Sequence, residues 1–304
     1  MKKVLFIGDI NVDIIMGGLE SQPLIDREIG CSSYQVAPGS TAVIAACSYA
    51  TLGGNASFSG LAGEDEHGRF MLQAIAGFGV ETELIRTTAT VNTGVTVNLI
   101  HQETRTQITY PGTIAEFDGQ GIEGHLAGFD HLHFAGPYQQ TKLRPRITAL
   151  LQAASEAQVT VSLDPQWDAR ERWEHLPEWL PLLSYLFVNE AEAQSITSHA
   201  TTEKALEALA SQTTCPIVKA GRSGCYAYLE GRVAQVPTRA IRIVDSTGAG
   251  DCFDAGFLFC RLEKRMNLLE ACRFACAMGT RSCLYVGGLA APATYTQVID
   301  FLGE

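Results

Sequence analysis

Asp245-Ser246-Thr247-Gly248-Ala249-Gly250-Asp251-Cys252-Phe253-Asp254-Ala255-Gly256-Phe257 opens as a charged turn, passes two glycines and closes in an apolar stretch with helical character. Glycines at a helix entrance leave no Cβ in front of the backbone N–H groups. The N-terminus of the helix adds partial positive charge, so the run reads as an anion site. Asp251 beside such a nest is an unfavourable place for a carboxylate unless it handles a proton, which suggests phosphoryl transfer to a hydroxyl. Plain N-capping by Ser246 or Asp251 accounts for one polar residue, but not for two glycines and two acids together.

The rest of the chain supplies a large α/β frame around this run. With 304 residues, 46% hydrophobic and 18% charged, a sizeable core is available and disorder is not expected. Val4–Gly8, Ala56–Ala62, Asp130–Ala135, Val159–Asp164, Leu186–Asn189 and Pro216–Lys219 read as strands. Thr41–Leu52, Gly68–Gly77, Leu143–Ala157, a segment from Glu190, Gly250–Leu262, Leu268–Leu284 and Tyr295–Leu302 read as helices. Asp9, Asp164 and Asn189 fall just past strand ends, where parallel sheets place their ligands. Two segments break this rhythm. Thr93–Ile100 and Arg105–Tyr110 flank the polar turn His101-Gln102-Glu103-Thr104 and read as a hairpin, and residues 14–36 lack helical period. A second hairpin is expected from Gly224–Leu229 and Arg232–Val236.

A net charge of −11 argues against a nucleic-acid or anionic-membrane partner and leaves a small-molecule substrate. The nine cysteines form no CxxC pair and read as core residues of a reducing compartment. The apolar part of Met1–Gly8 is too short for a signal peptide, and no stretch reaches transmembrane length, so the expected location is the cytoplasm.

The run at Asp245–Asp251 resembles the C-terminal signature of the PfkB (ribokinase-like) family of carbohydrate kinases, and Gly60–Gly68 is similar to its N-terminal signature. Neither a Walker A pattern nor GxGxxG follows the first strand. The resemblance covers nearly the whole chain. It implies a ribokinase-like three-layer fold over 1–304, with a central, mostly parallel sheet flanked by helices and a small β lid from about 14–36 and 91–112. It also implies transfer of the γ-phosphoryl group of ATP to a hydroxyl of a small sugar, with Asp251 as the base and the amides of Gly248, Ala249 and Gly250 as the anion hole.

By the same resemblance Asn11, Asp13 and Gly39 contact the sugar together with Asp251. Asn189 and Glu192 organise water-coordinated Mg2+ near the phosphates, and capping by Asn189 is the bland alternative. Lys219, Gly221, Gly224, Thr247 and Cys276, with Asn189, Gly248 and Gly250, face the nucleotide. Parts of the family bind a monovalent cation at this loop, which leaves K+ at Asp245 and Thr247 as an open expectation. Pro38 and Val43 stand where the family often has Gly and Asn, and a Lys found in relatives acting on phosphorylated sugars is missing. These departures lean toward an unphosphorylated sugar. A nucleoside kinase, a sugar-phosphate kinase and a catalytically silent sensor remain as alternatives, with the lid residues His101, Arg105 and Tyr110 as discriminators. The unpaired edges of the lid suggest a homodimer through it.

Overall fold

The computed structural model describes residues 1–102 and 104–303. A nine-stranded sheet contains β1 (Lys3–Ile7), β4 (Asn55–Gly63), β5 (Glu81–Thr88), β8 (His131–Ala135), β9 (Thr160–Asp164), β10 (Tyr185–Asn189), β11 (Pro216–Lys219), β12 (Cys225–Leu229) and β13 (Arg232–Val236). Its order is β13-β12-β11-β10-β9-β8-β1-β4-β5. All neighbours pair in parallel except β11–β12 and β12–β13, where the late hairpin turns the edge antiparallel. A second, four-stranded sheet holds β2 (Asn11–Gly17), β3 (Ser33–Pro38), β6 (Gly94–His101) and β7 (Thr104–Tyr110) in the order β3-β2-β6-β7.

Period-2 alternation explains the layers. Val4 and Phe6 of β1 join one apolar cluster, while Leu5 and Ile7 join the other, so a strand with no polar side is buried on both faces. The first cluster is closed by α1 (Thr41–Thr51), α2 (Glu66–Gly77), α8 (Ala249–Leu262), α9 (Leu268–Ser282) and α10 (Tyr295–Gly303). The second is closed by α4 (Ile147–Glu156), α5 (Leu176–Trp179), α6 (Glu190–Thr197) and α7 (Thr202–Ala210); the short α3 (Thr113–Glu116) follows β7. Among the described residues no helix is long and apolar enough to cross a membrane, and nine cysteines are free thiols.

Several elements differ from expectation. The second sheet begins at Asn11, so Asn11 and Asp13 lie on one of its strands and not on a turn after β1. β5 was not expected: its residues alternate only between exposed and half-buried, and an edge strand needs no strong apolar signal. α7 was not expected either; it starts where Thr201 accepts a hydrogen bond from the Lys204 amide. Pro145 sits in a 3-10 turn, Arg144–Arg146, so α4 starts after it. In the hairpin turn, Glu103 lies outside the described residues.

The Gly60–Gly68 run proves architectural. Asp65 caps α2 through the Gly68 amide at 2.7 Å and accepts from the amide and hydroxyl of Thr93 at 2.7 and 2.8 Å, which ties the helix to the segment entering β6. A Cβ at Gly68 would lie 1.9 Å from the Gly63 carbonyl oxygen, so only glycine fits.

Candidate active site

The second sheet has two unlike faces. Asn11 and Asp13 of β2 share a face with Thr96 and Asn98 of β6 and with Arg105, Gln107 and Thr109 of β7, as the registers Asp13↔Thr96, Thr96↔Thr109 and Asn98↔Gln107 require. That polar face bounds a cleft of about 580 Å³ over the carboxyl ends of the large sheet. Asn11, Asp13, Asn189, Glu192, Lys219, Gly221, Thr247, Gly248, Gly250 and Asp251 all line it, whereas Gly224 and Cys276 do not. Those two line a neighbouring apolar pocket of about 300 Å³ between the turn Gly221–Gly224, the segment from Thr238 to Ile243 and helices α8 and α9. Lys219, Gly221, Ser246 and Gly250 line both, so the two spaces are continuous.

At the acceptor end, Asn11 Nδ2 donates to Asp13 Oδ1 and Thr96 Oγ1, each at 3.3 Å. Gly39 backs this pair: a Cβ there would lie 2.6 Å from both Asn11 Nδ2 and Asp13 Oδ1. Ser40 holds a left-handed φ of 74° while capping α1, and its hydroxyl donates to the Asp9 carbonyl at 2.7 Å. A non-glycine residue kept in that region marks a backbone fixed by its surroundings. Burial is the main force on Asp9 and pushes its carboxyl up to about 6, against the Ser40 hydrogen bond. Asp13 is also pushed up to about 6 by burial, opposed first by the positive charge of Arg105.

The signature run turns into α8 through Gly248, whose φ of 75° is left-handed. No side chain caps α8. Ala249 N donates to Ser246 O at 3.2 Å, while the amides of Gly248 and Gly250 have no protein acceptor among the described residues. These open donors, with the helix dipole behind them, form the anion-binding geometry. Asp251 stands in the first turn, 5% exposed, and its pKa lies well above the usual carboxylate range because of burial and then the charge of Asp164. Such a carboxyl suits a proton acceptor whose basicity approaches the working pH.

Asn189 and Glu192 form a reciprocal capping box: Asn189 Oδ1 accepts from Glu192 N at 2.9 Å and Glu192 Oε2 accepts from Asn189 N at 2.8 Å. The capping role is therefore present. Among the described residues the box engages Glu192 through Oε2 alone, on a residue only 3% exposed. Burial and Asp164 push the Glu192 carboxyl up to about 7, so a cation nearby favours its ionised form. Among the described residues no three or more His, Cys, Asp or Glu are grouped to hold a metal ion directly. One carboxylate oxygen with the phosphates and water fits a hydrated Mg2+, which needs few protein ligands.

Asp245 ties two loops together. Its Oδ1 accepts from the Thr247 amide and hydroxyl at 2.9 and 2.8 Å, and its Oδ2 accepts from Gly287 N at 2.9 Å. Of the three lid discriminators only Arg105 reaches the cleft; His101 Nδ1 sits 2.8 Å from the Leu19 carbonyl and Tyr110 is exposed. Cys276 turns its thiol toward Cys225 Sγ at 3.6 Å, inside the wall of the apolar pocket. Asp9 and Asp164, expected at ligand-bearing strand ends, line the cleft as well; Ser40, Thr96, Gln107, Thr109, Gln139 and Gln166 also line it and were not singled out as site residues. Alternation along β7 from Arg105 was the signal that could have found two of them, Gln107 and Thr109.

The sequence pattern of the pfkB family carbohydrate kinases matches residues 1–294. The chain belongs to that family. It is 30% identical over 268 residues to a fructokinase of Klebsiella pneumoniae, covering 84% of this chain and 83% of that one. An ATP-dependent ribose-1-phosphate kinase of Halopiger xanaduensis is 27% identical over 316 residues, covering 100% and 99%. The fold is that of Arabidopsis thaliana ribokinase complexed with ribose and ATP, with a TM-score of 0.83, 21% identity and coverage of 100% and 99%. As a pfkB member the protein is a phosphotransferase with an alcohol acceptor, a sugar or nucleoside kinase of ribokinase-like fold.

Proposed function

We propose that this pfkB kinase transfers the γ-phosphoryl group of MgATP to a primary hydroxyl of a neutral sugar. The continuity of the cleft and the apolar pocket carries this reading. Gly250 lines both spaces, and Gly248 and Asp251 beside it line the cleft, so the base and the open amides sit next to the junction of a polar acceptor chamber with a slot suited to a nucleotide base. Asn11, Asp13 and Gly39 hold the sugar at one end. Gly221, Gly224 and Cys276 border the base at the other, with Lys219 and Thr247 between.

In the transfer, the sugar oxygen forms its bond to γ-phosphorus as the bond to the β,γ-bridging oxygen breaks, and Asp251 takes the hydroxyl proton. The Gly248 and Gly250 amides, joined by Ala249 if its bond to Ser246 opens, meet the charge spread over the equatorial oxygens. Mg2+, when bound, neutralises phosphate charge beside Glu192 and Asn189. Asp245 and Thr247 are the candidate K+ ligands, tested by comparing turnover in K+ and Na+.

The cleft lining favours a neutral acceptor. It carries the carboxylates Asp9, Asp13, Asp164, Glu192 and Asp251, and its two cations, Lys219 and Arg105, already have protein partners. Arg105 also supports a second reading, in which a phosphorylated sugar displaces Thr247 from its guanidinium.

The polar face of the second sheet makes it a lid that excludes water from the transfer. Its opposite face leaves Tyr34 65%, Ile108 60% and Tyr110 51% exposed, an apolar patch suited to pairing lids in a homodimer. ATP use and nine free thiols suit the cytoplasm.

Acceptor-dependent ADP release across ketoses, aldoses, sugar acids, nucleosides and sugar phosphates tests the reading, with D251N as control. A single acceptor that fails with the variant supports it. No acceptor at all, with ATP still bound, overturns it in favour of a silent sensor.

A further inference from the structure

Lys219, at the end of β11, lines the cleft but turns its ammonium toward two buried acids. Its ammonium is 2.7 Å from Asp164 Oδ2 and 3.2 and 3.3 Å from the two oxygens of Asp254, and its side chain is 13% exposed. Both carboxylates are 1% exposed. Asp164 ends β9, Lys219 ends β11, and β10 lies between them with Asn189 paired to Lys219 in register. Asp254 comes from α8, three residues after Asp251 and so on the same helical face.

One cation among two buried acids leaves a charge to be neutralised. Lys219 and a hydrogen bond from Asp254 hold the Asp164 carboxyl below the ordinary carboxylate range against the cost of burial, while burial pushes the Asp254 carboxyl well above that range. The three groups are thus satisfied among themselves, a closed set that needs no ligand. The set also touches the anion site: a Cβ on Gly250 would lie 3.1 Å from Lys219 Nζ, so the ammonium rests against that backbone.

We infer that Lys219, Asp164 and Asp254 form a buried clamp that docks the first turn of α8 onto the strand ends, and that Lys219 is a positioning residue for Asp251 and the open amides. The inference rests on the kinase reading above. It assigns Lys219 an action through the helix, not through the nucleotide. A turn that carries both the base and the amides must be held in place, because a misplacement near 1 Å costs about 100-fold in rate.

The test compares D254L, D254N and K219M with the wild type in acceptor-dependent turnover, MgADP affinity by calorimetry and thermal melting. D254L keeps the Lys219–Asp164 ion pair, and the melting curve checks that the variant is folded. The expected result is about 100-fold lower kcat in D254L with MgADP affinity within about threefold. D254N, which retains an amide able to bridge Asp164 and Lys219, recovers most of that turnover. K219M follows D254L in kcat. D254L turning over like wild type overturns the clamp. So does K219M losing 30-fold or more in MgADP affinity with kcat retained, because Lys219 is then a nucleotide ligand. A wild type silent with every acceptor instead overturns the kinase reading, which separates the two failures.

Discussion

The guanidinium of Arg105 donates from Nη1 to the Thr247 hydroxyl across 2.7 Å, joining residues 142 positions apart. One belongs to the outermost strand of the lid sheet and the other to the signature loop that leads into α8. The Thr247 hydroxyl in turn donates a hydrogen bond to Asp245, which also accepts from Gly287 N, so the latch engages a braced loop.

Removing the latch loosens closure. R105M is expected to raise the acceptor KM about tenfold, the worth of one charge-assisted hydrogen bond, and to increase ADP release without acceptor as water enters. If a phosphorylated sugar is the acceptor, the same variant loses far more with it than with the neutral sugar. Parallel assays on both acceptors read the difference.

Asp251→Asn keeps shape and removes the proton acceptor. Turnover is expected to fall on the order of a thousandfold, with an unchanged melting profile. In the wild type, the base works only when ionised, and its raised pKa means kcat climbs with pH through an acid limb displaced well above an ordinary carboxylate's. A profile flat down to pH 4 would falsify the assignment.

Asp9 gives a signed stability prediction. Its folded pKa of about 6 exceeds the unfolded value, so its protonated form favours the fold; that contribution is full below pH 3.8 and lost as pH rises through 6. By pH 8 the loss is on the order of 3 kcal/mol. D9N, which mimics the neutral acid, is expected to raise the melting temperature at pH 8 and to leave it unchanged near pH 4, measured without ligands.

Glu192→Gln preserves an oxygen for the capping box but removes the charge left for Mg2+. The Mg2+ concentration for half-maximal turnover is expected to rise about tenfold or more, and excess chelator to abolish turnover in both forms. Equal Mg2+ curves would exclude Glu192 from the metal site.

Gly68→Ala tests the architectural role of the N-terminal signature. The 1.9 Å approach to the Gly63 carbonyl forces backbone to move, so a loss of about 2 kcal/mol or more in urea unfolding is expected.

Much of this was legible in the chain. Turn residues and apolar runs gave the core strands and the helices expected at Thr41–Leu52 and Gly250–Leu262, because these elements are buried nearly all round. Glu81–Thr88 and Thr202–Ala210 escaped because an edge strand and a short amphipathic helix carry weak patterns. At the site, Asp251, Asn189 and Glu192 stood in recognisable runs. Thr96, Gln107 and Gln139 did not, since their place depends on a cleft assembled from distant segments. The partners of Lys219 were equally hidden: Asp164 and Asp254 lie 55 and 35 positions away.

The chain leaves β1 at Ile7 and by Asn11 is already part of the lid sheet. On the proposed reading, the two side chains that grip the acceptor, Asn11 and Asp13, therefore belong to the door and not to the frame. Grasping the sugar and shutting the chamber are then one event, so an ill-fitting acceptor is penalised twice, once in contact and once in closure. Selectivity is on that reading a mechanical property, set as much by how the lid sheet seats as by what the pocket touches.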